Sequence, residues 1–112
     1  MKTTEFLKET TERYESSNIY KVRPRIRCKD GFEMSIQASE YHHCSPRINM
    51  DSGNYCEVEI GFPSEEEPLF MEYAEDESNP TRTVYGYVPV EFVDEVIEKH
   101  GGLIEIMRKV PK

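Results

Sequence analysis

The stretch RTVYGYVPVEFVDEVIEKHGGLIEI, residues 82–106, decides the fold because it joins two strand-like segments through an amphipathic helix. Its first part alternates with a period of two, which predicts a strand. The alternation assigns the residues to two opposite faces: Val84, Gly86 and Val88 on one, Thr83, Tyr85 and Tyr87 on the other.

The helix begins after Pro89, which has no N–H for a sheet ladder and a φ that suits a first helical turn. Apolar residues then recur at helical spacing and form one stripe: Phe92, Val93, Val96 and Ile97. Gly101 and Gly102 predict the end of the helix, and Leu103 to Met107 is predicted to return as a strand. Because the stripe must be buried, the rest of the chain is expected to supply a sheet.

A β-hairpin is predicted on either side of Asp30-Gly31, a dipeptide that favours a type I′ turn with positive φ at both positions. The strand before the turn alternates apolar and basic residues, and its basic face holds Lys21, Arg23, Arg25, Arg27 and Lys29. This basic face is interpreted as solvent-exposed and paired with Glu33 across the hairpin and with Glu57 and Glu59 on a further strand. An anion-binding or nucleic-acid-binding role for the same face stays open. The returning strand has Phe32, Met34, Ile36 and Ala38 on its apolar face.

Residues 39–54 have no sustained period and many turn-forming residues, so they are predicted to form a long loop. A third strand follows, with one face expected in the core: Cys56, Val58, Ile60 and Phe62. Leu69 to Ala74 is predicted to form a further short strand. The N-terminal segment 1–18 is polar and is expected to be helical from about Thr3 to Glu15, or frayed.

These elements predict an α+β fold with a mostly antiparallel sheet of five or six short strands. One amphipathic helix packs on the sheet, and an extra N-terminal helix is possible. The chain is divided into a polar segment, 1–18, and a single α+β domain, 19–112. The sequence has neither a long apolar run nor a secretory signal pattern, so we expect a cytoplasmic protein without a membrane partner.

The net charge of −8 is concentrated in the middle of the chain. Residues 48–81 contain ten acidic residues and neither lysine nor arginine, whereas the remainder holds twelve acids and fourteen bases. Such a segment argues against nucleic-acid binding, which needs a basic surface. It favours a protein partner with a basic surface. The predicted partner-binding residues are Glu65, Glu66, Glu67, Glu72, Glu75, Asp76 and Glu77.

Catalytic and metal-binding patterns are weak in this sequence. Cys28, His42, His43, Cys44 and Cys56 carry the atoms of a zinc site, but they lack the close ligand pairs typical of one. A pair of Cys44 with a histidine lacks an orienting third residue. We therefore expect no metal, no cofactor and no enzymatic activity.

A ligand-binding alternative uses the long loop and the tyrosine face of residues 82–88. Tyrosine is enriched at binding surfaces because it combines a large rigid area with a polar tip. The residues predicted for this small-ligand or nucleotide site are His42, His43, Arg47, Tyr85 and Tyr87. The competing interpretation of Tyr85 and Tyr87 is a half-buried face covered by the loop 39–54.

Three runs carry a resemblance to a known family: MSIQASEYHHCSPR (34–47), YCEVEIGFPS (55–64) and YAEDESNPTRTVYGYVPVEFVDEVIEKHGG (73–102). They resemble a family of small uncharacterised proteins from phages and prophages of Gram-positive gut bacteria. The resemblance implies a phage accessory protein, and such small acidic proteins are often inhibitors of bacterial defence systems. It assigns no functional residues.

Three functional hypotheses follow. The first is a non-enzymatic phage accessory protein that binds and inhibits a host bacterial protein, for instance a CRISPR effector nuclease, through the acidic segment. The second is the small-ligand or nucleotide-binding protein described above. The third is a structural protein of the virion, with an oligomeric state that the sequence does not define.

Overall fold

The α+β fold is confirmed: one antiparallel sheet of five strands is combined with short helices. The structure, a computed structural model, describes residues 1–11 and 22–107. Within these ranges the helices are α1 (Thr3–Glu9), a 3₁₀ helix (Pro68–Tyr73) and α2 (Val90–Lys99). The strands are β1 (Ile26–Cys28), β2 (Glu33–Gln37), β3 (Glu57–Gly61), β4 (Val84–Pro89) and β5 (Leu103–Ile106).

The sheet order is β4-β3-β2-β1-β5, so the stretch 82–106 supplies both edges. All four neighbouring pairs are antiparallel, which makes the edge strands β4 and β5 parallel to each other. Helix α2 connects them, and its stripe is buried as predicted at Val93, Val96 and Ile97. The fourth predicted residue, Phe92, is exposed instead. Burial of each of the other three side chains contributes about 1.5–3 kcal/mol. The crossover therefore closes the sheet over one core.

The predicted end of α2 is also confirmed. Gly102 N–H donates to Ile97 O at 2.9 Å, and Gly101 N–H donates to Glu98 O at 3.0 Å. Both glycines have positive φ, 92° at Gly101 and 99° at Gly102. This pair of bonds is the Schellman arrangement, which satisfies the last carbonyls of a helix.

Helix α1 belongs to the same core, since Phe6 and Leu7 are fully buried. Asp94 of α2 accepts hydrogen bonds from the Thr3 N–H and hydroxyl, both at 2.7 Å, and so satisfies the start of α1. The described helix ends at Glu9, and residues 12–18 of the predicted N-terminal segment lie outside the described residues.

The hairpin between β1 and β2 is confirmed, but the predicted turn type is wrong. Among described non-glycine residues only Phe62 and Tyr87 have positive φ, so Asp30 does not meet the type I′ requirement. Gly31 N–H donates to Cys28 O at 2.9 Å, and Gly31 has a φ of 97°. The connection is thus a three-residue loop with glycine in the left-handed position.

Arg23 does not lie on the predicted solvent face; it is 2% exposed. Strand β1 begins only at Ile26, so the alternation that placed Arg23 outside does not extend to it. Its guanidinium donates to Thr10 Oγ1 at 3.0 Å and also reaches the carbonyls of Ala38 and Leu7. Arg23 therefore joins the end of α1 to the end of β2 inside the core.

Arg25 and Arg27 pair as predicted, with one change of partner, whereas Lys21 lies outside the described residues. Glu33 lies 3.3 Å from Arg25 and 3.8 Å from Arg27. Glu57 and Glu59 are wrong as partners, because β3 is not a neighbour of β1. The outer partner is Glu105 on β5, at 2.7 Å from Arg27.

Three further predictions fail locally. Residues 69–74 are not a strand, because Pro68–Tyr73 forms the 3₁₀ helix with Phe70 buried. Cys56 precedes β3 and is exposed, and Phe62 follows β3 with a φ of 48° and is half exposed. In β4 the alternation breaks: Val58 pairs with Val88 but Ile60 pairs with Tyr85, so Gly86 and Tyr87 both oppose Glu59. This β-bulge turns Tyr85 into the core and Tyr87 out of it.

The buried arginine gives a stability prediction. Arg23→Lys is expected to lower the free energy of unfolding by about 2 kcal/mol or more, because an ammonium cannot reproduce the planar set of donors and leaves buried carbonyls unsatisfied. Arg25→Lys, on the adjacent solvent-facing position, is the matched control and should cost less than about 1 kcal/mol. Urea unfolding followed by circular dichroism measures both; equal losses would contradict a special role for Arg23.

Candidate protein-binding surface

The acidic residues of segment 65–77 lie on the surface with one exception. Six side chains are exposed: Glu65, Glu66, Glu72, Glu75, Asp76 and Glu77. Among the residues that the structure describes, no lysine or arginine forms an ion pair with any of the six. We refer to these six residues as the acidic surface.

Glu67 is the exception, and its prediction as a partner-binding residue is wrong because it is 1% exposed. Its carboxylate accepts from Leu69 N–H at 3.0 Å, Lys99 Nζ at 2.9 Å and His100 Nε2 at 2.8 Å. Burial opposes ionisation, but these three donors outweigh it and lower the pKa of Glu67. Glu67 therefore stays charged and holds the start of the 3₁₀ helix against the end of α2.

His100 is the centre of this buried cluster. Its Nδ1 lies 2.6 Å from Asp30 Oδ2, its Nε2 contacts Glu67, and its ring stacks on Phe32 at a centroid distance of 4.0 Å. Burial disfavours the imidazolium, but the hydrogen bonds and negative charges of the two carboxylates prevail and raise the pKa of His100. Hydrogen bonds from Phe32 N–H and His100 lower the pKa of Asp30. The sequence signalled only a helix C-terminus here and missed the cluster.

The far end of the acidic segment is held by β4. Ala74 bridges Tyr85, Glu75 N–H donates to Val84 O at 3.0 Å, and Asp76 N–H donates to Thr83 Oγ1 at 3.1 Å. The Asp76 carboxylate accepts from Ser78 and Asn79, and these bonds lower its pKa. Because both ends are bonded to the sheet and helix, the acidic surface has a defined shape.

The residues of the ligand-binding alternative separate in the structure. Tyr85 is fully buried, tilted against Phe70 at 6.0 Å, with its hydroxyl donating to Pro80 O. His42 is also buried, and Ser39 Oγ lies 2.7 Å from its Nδ1. Arg47 is exposed and donates to Glu40 O. Tyr85 and Tyr87 therefore do not share an accessible face. His42 and His43 likewise do not line one small-ligand site together.

His42 and Cys44 have pKa values that are shifted towards their uncharged forms. Burial, followed by the positive charges of Arg23, His43 and Arg47, lowers the pKa of His42 to about 4. Cys44 donates to Ser39 O at 3.2 Å, and burial raises the pKa of its thiol. At neutral pH the imidazole and the thiol are both uncharged, and each is bonded to Ser39 rather than to the other.

Only His43 and Tyr87 of the predicted ligand residues meet at the surface. Their rings stack at 5.7 Å with an angle of 15°, and Tyr87 N–H donates to His43 O at 2.9 Å. His43 Nδ1 lies 3.1 Å from Glu75 Oε1 and 3.6 Å from Glu59 Oε1. The loop 39–54 therefore contacts β4 at its bulge, beside the acidic surface.

A separate cavity of about 470 Å³ lies between the N-terminus and α2, away from the loop 39–54. Met1 and Lys2 form one side, and four acidic residues of α2 lie along the other: Glu91, Asp94, Glu95 and Glu98. Within the described ranges, no group of three or more His, Cys, Asp or Glu residues has the arrangement of a metal site. None of the described helices is long and apolar enough to span a membrane.

Comparison with known proteins gives no match to the chain among protein-family models, curated proteins or solved structures.

The two buried histidines predict a stability maximum near pH 6.5. His100 has a raised pKa, so its contribution is complete below its ordinary value of 6.5 and is lost as the pH rises through the raised value. His42 has a lowered pKa, so its contribution is complete above 6.5 and is lost as the pH falls towards about 4.

Thermal unfolding between about pH 4.5 and 8.5 tests this prediction. His100→Gln should flatten the decline on the alkaline side, and His42→Gln should flatten the decline on the acid side. Each variant serves as the control for the other. An unchanged alkaline slope in His100→Gln would show that the Asp30–His100–Glu67 cluster does not determine that limb.

Proposed function

We propose that this protein is a non-enzymatic phage accessory protein that binds and inhibits a host bacterial protein through the acidic surface. The partner we propose carries a basic surface, and the leading candidate class is a defence nuclease such as a CRISPR effector. The resemblance to phage and prophage proteins motivates the host context. The acidic surface motivates the mode of binding.

The observation that carries the proposal is the exposure of six carboxylates without lysine or arginine partners among the described residues. On the strands, by contrast, Glu33 pairs with Arg25 and Glu105 pairs with Arg27. Exposed carboxylates without cationic partners create a negative potential that accelerates encounter with a basic surface. A nuclease presents such a surface where it binds the nucleic-acid backbone.

Rigidity of the surface is the second support. Association costs free energy when loops become ordered at the interface, and preorganisation reduces that cost. Here Glu67 holds one end of the segment through His100 and Lys99, while Glu75 N–H holds the other on β4. The backbone that carries the exposed carboxylates is therefore anchored before a partner binds.

The small-ligand alternative has less support. It retains His43, Arg47 and Tyr87 as accessible residues, but His42 and Tyr85 are buried. The cavity described above is lined by α2 and the N-terminus rather than by these residues.

An interference assay tests the proposal directly. A bacterial strain with an active CRISPR effector is challenged with its target while the protein is expressed in excess. We expect loss of interference with wild-type protein, and full interference at excess protein would contradict inhibition of that effector.

A charge variant tests the surface. Glu65→Gln, Glu66→Gln and Glu72→Gln together should slow association with the partner about 10-fold at low salt and reduce its salt dependence, because steering by exposed charges is screened over about 8–10 Å at physiological ionic strength. Each change should alter stability by less than about 0.5 kcal/mol. The control carries Glu91→Gln, Glu95→Gln and Glu98→Gln on α2. Equal rates and salt slopes in the two variants would exclude the acidic surface as the docking site.

A further inference from the structure

Tyr87 is an exposed aromatic residue at the border of the acidic surface. The β-bulge in β4 gives it a φ of 55°, uncommon for a bulky residue, and leaves 45% of it exposed. Bonding of its N–H to His43 O and stacking of its ring on His43 fix the side chain. The Tyr87 ring therefore has two different sides, because one part is covered by His43 and the other faces solvent.

Two carboxylates lie beside this ring pair. Glu59 and Glu75 both approach His43 Nδ1, at 3.6 Å and 3.1 Å, and Glu59 also accepts from His43 N–H at 3.2 Å. One imidazole carries at most one positive charge, so a negative charge remains whichever state His43 adopts. In the described part of the chain, no lysine or arginine pairs with either carboxylate.

An exposed aromatic face next to uncompensated carboxylates suits a guanidinium group. Arginine is planar, stacks on tyrosine and binds a carboxylate through two parallel N–H donors, whereas an ammonium acts as a point charge. Tyrosine and arginine are also the residues most enriched at the energetic centres of protein interfaces. The Tyr87 ring therefore favours a planar guanidinium over an ammonium, whereas the exposed carboxylates attract either cation.

We propose that Tyr87, Glu75 and Glu59 form a receptor for an arginine side chain of the partner protein. This inference rests on the proposed function, since it names the residue type that the acidic surface accepts. The guanidinium lies on the exposed Tyr87 ring, and its N–H groups donate to Glu75 at the rim and Glu59 at the inner end. His43 is a positioning residue that supports the Tyr87 ring.

The experiment is an NMR titration of the protein with N-acetyl-L-arginine amide at low ionic strength, with N-acetyl-L-lysine amide as the matched-charge probe. We expect saturable shifts of the Tyr87 and His43 ring protons and tighter binding of the arginine probe. Tyr87→Leu should weaken arginine binding about two- to five-fold and remove the preference over lysine. Tyr87→Phe should retain most of the affinity for arginine and most of the preference over lysine. Glu91→Gln, in the acidic face of α2, is the control and should change neither.

Shifts of equal size at Tyr87 and around Glu91 that rise linearly with probe concentration would overturn the inference, as would an unchanged affinity in Tyr87→Leu. If Tyr87→Leu does not fold, Glu75→Gln at the exposed rim tests the same contact, and unchanged arginine binding there overturns it as well. Two further outcomes distinguish a failure of this inference from a failure of the proposed function. A partner bound by wild type and Tyr87→Leu at the same rate contradicts the receptor alone. Arginine binding at Tyr87 without any inhibition in the interference assay contradicts the proposed function alone.

Discussion

The hydrogen-bonded contact of His100 with Asp30 and Glu67 connects three parts of the chain that are distant in sequence. Asp30 belongs to the hairpin turn, Glu67 caps the start of the 3₁₀ helix and His100 caps the end of α2. Two buried or half-buried carboxylates would be expensive side by side without a cation between them. His100 supplies that cation when it is protonated, and Lys99 supplies a second one to Glu67. The hairpin, the 3₁₀ helix and the crossover helix are therefore joined at His100.

The β-bulge in the edge strand β4 also determines how several parts of the chain pack. One extra residue opposite Glu59 changes which tyrosine enters the core: Tyr85 packs against Phe70, while Tyr87 turns outward to His43. On the outer side of β4, Val84 O accepts from Glu75 N–H and Tyr87 N–H donates to His43 O. An edge strand covered in this way is protected from pairing with other chains. The bulge thus gives β4 both its packing and its accessible aromatic residue.

The sequence predicted the features that depend on local periodicity. Three of the four stripe residues of α2, its glycine stop and the paired strands of the hairpin follow from spacing alone, and all are present. The failures occur where a tertiary contact overrides the local pattern. Arg23 fits a solvent-facing alternation, but the carbonyls of α1 and β2 bind it inside the core. Residues 69–74 have strand-like composition, yet Glu67 satisfies Leu69 N–H and favours a helical turn.

The candidate surface was predictable in the same limited sense. Charge counting found the acidic segment because charge is a property of the sequence, but it could not separate Glu67 from Glu65 and Glu66. Three identical residues in a row differ only in what the fold brings to them: His100 and Lys99 reach Glu67, and no described cation reaches the other two. Burying one carboxylate with its own partners removes a single charge from the surface and anchors the backbone that carries its neighbours. If the surface binds a partner through charge, as we propose, the buried Glu67 matters as much as the exposed acids, because a segment without an anchor would have to be ordered by its partner.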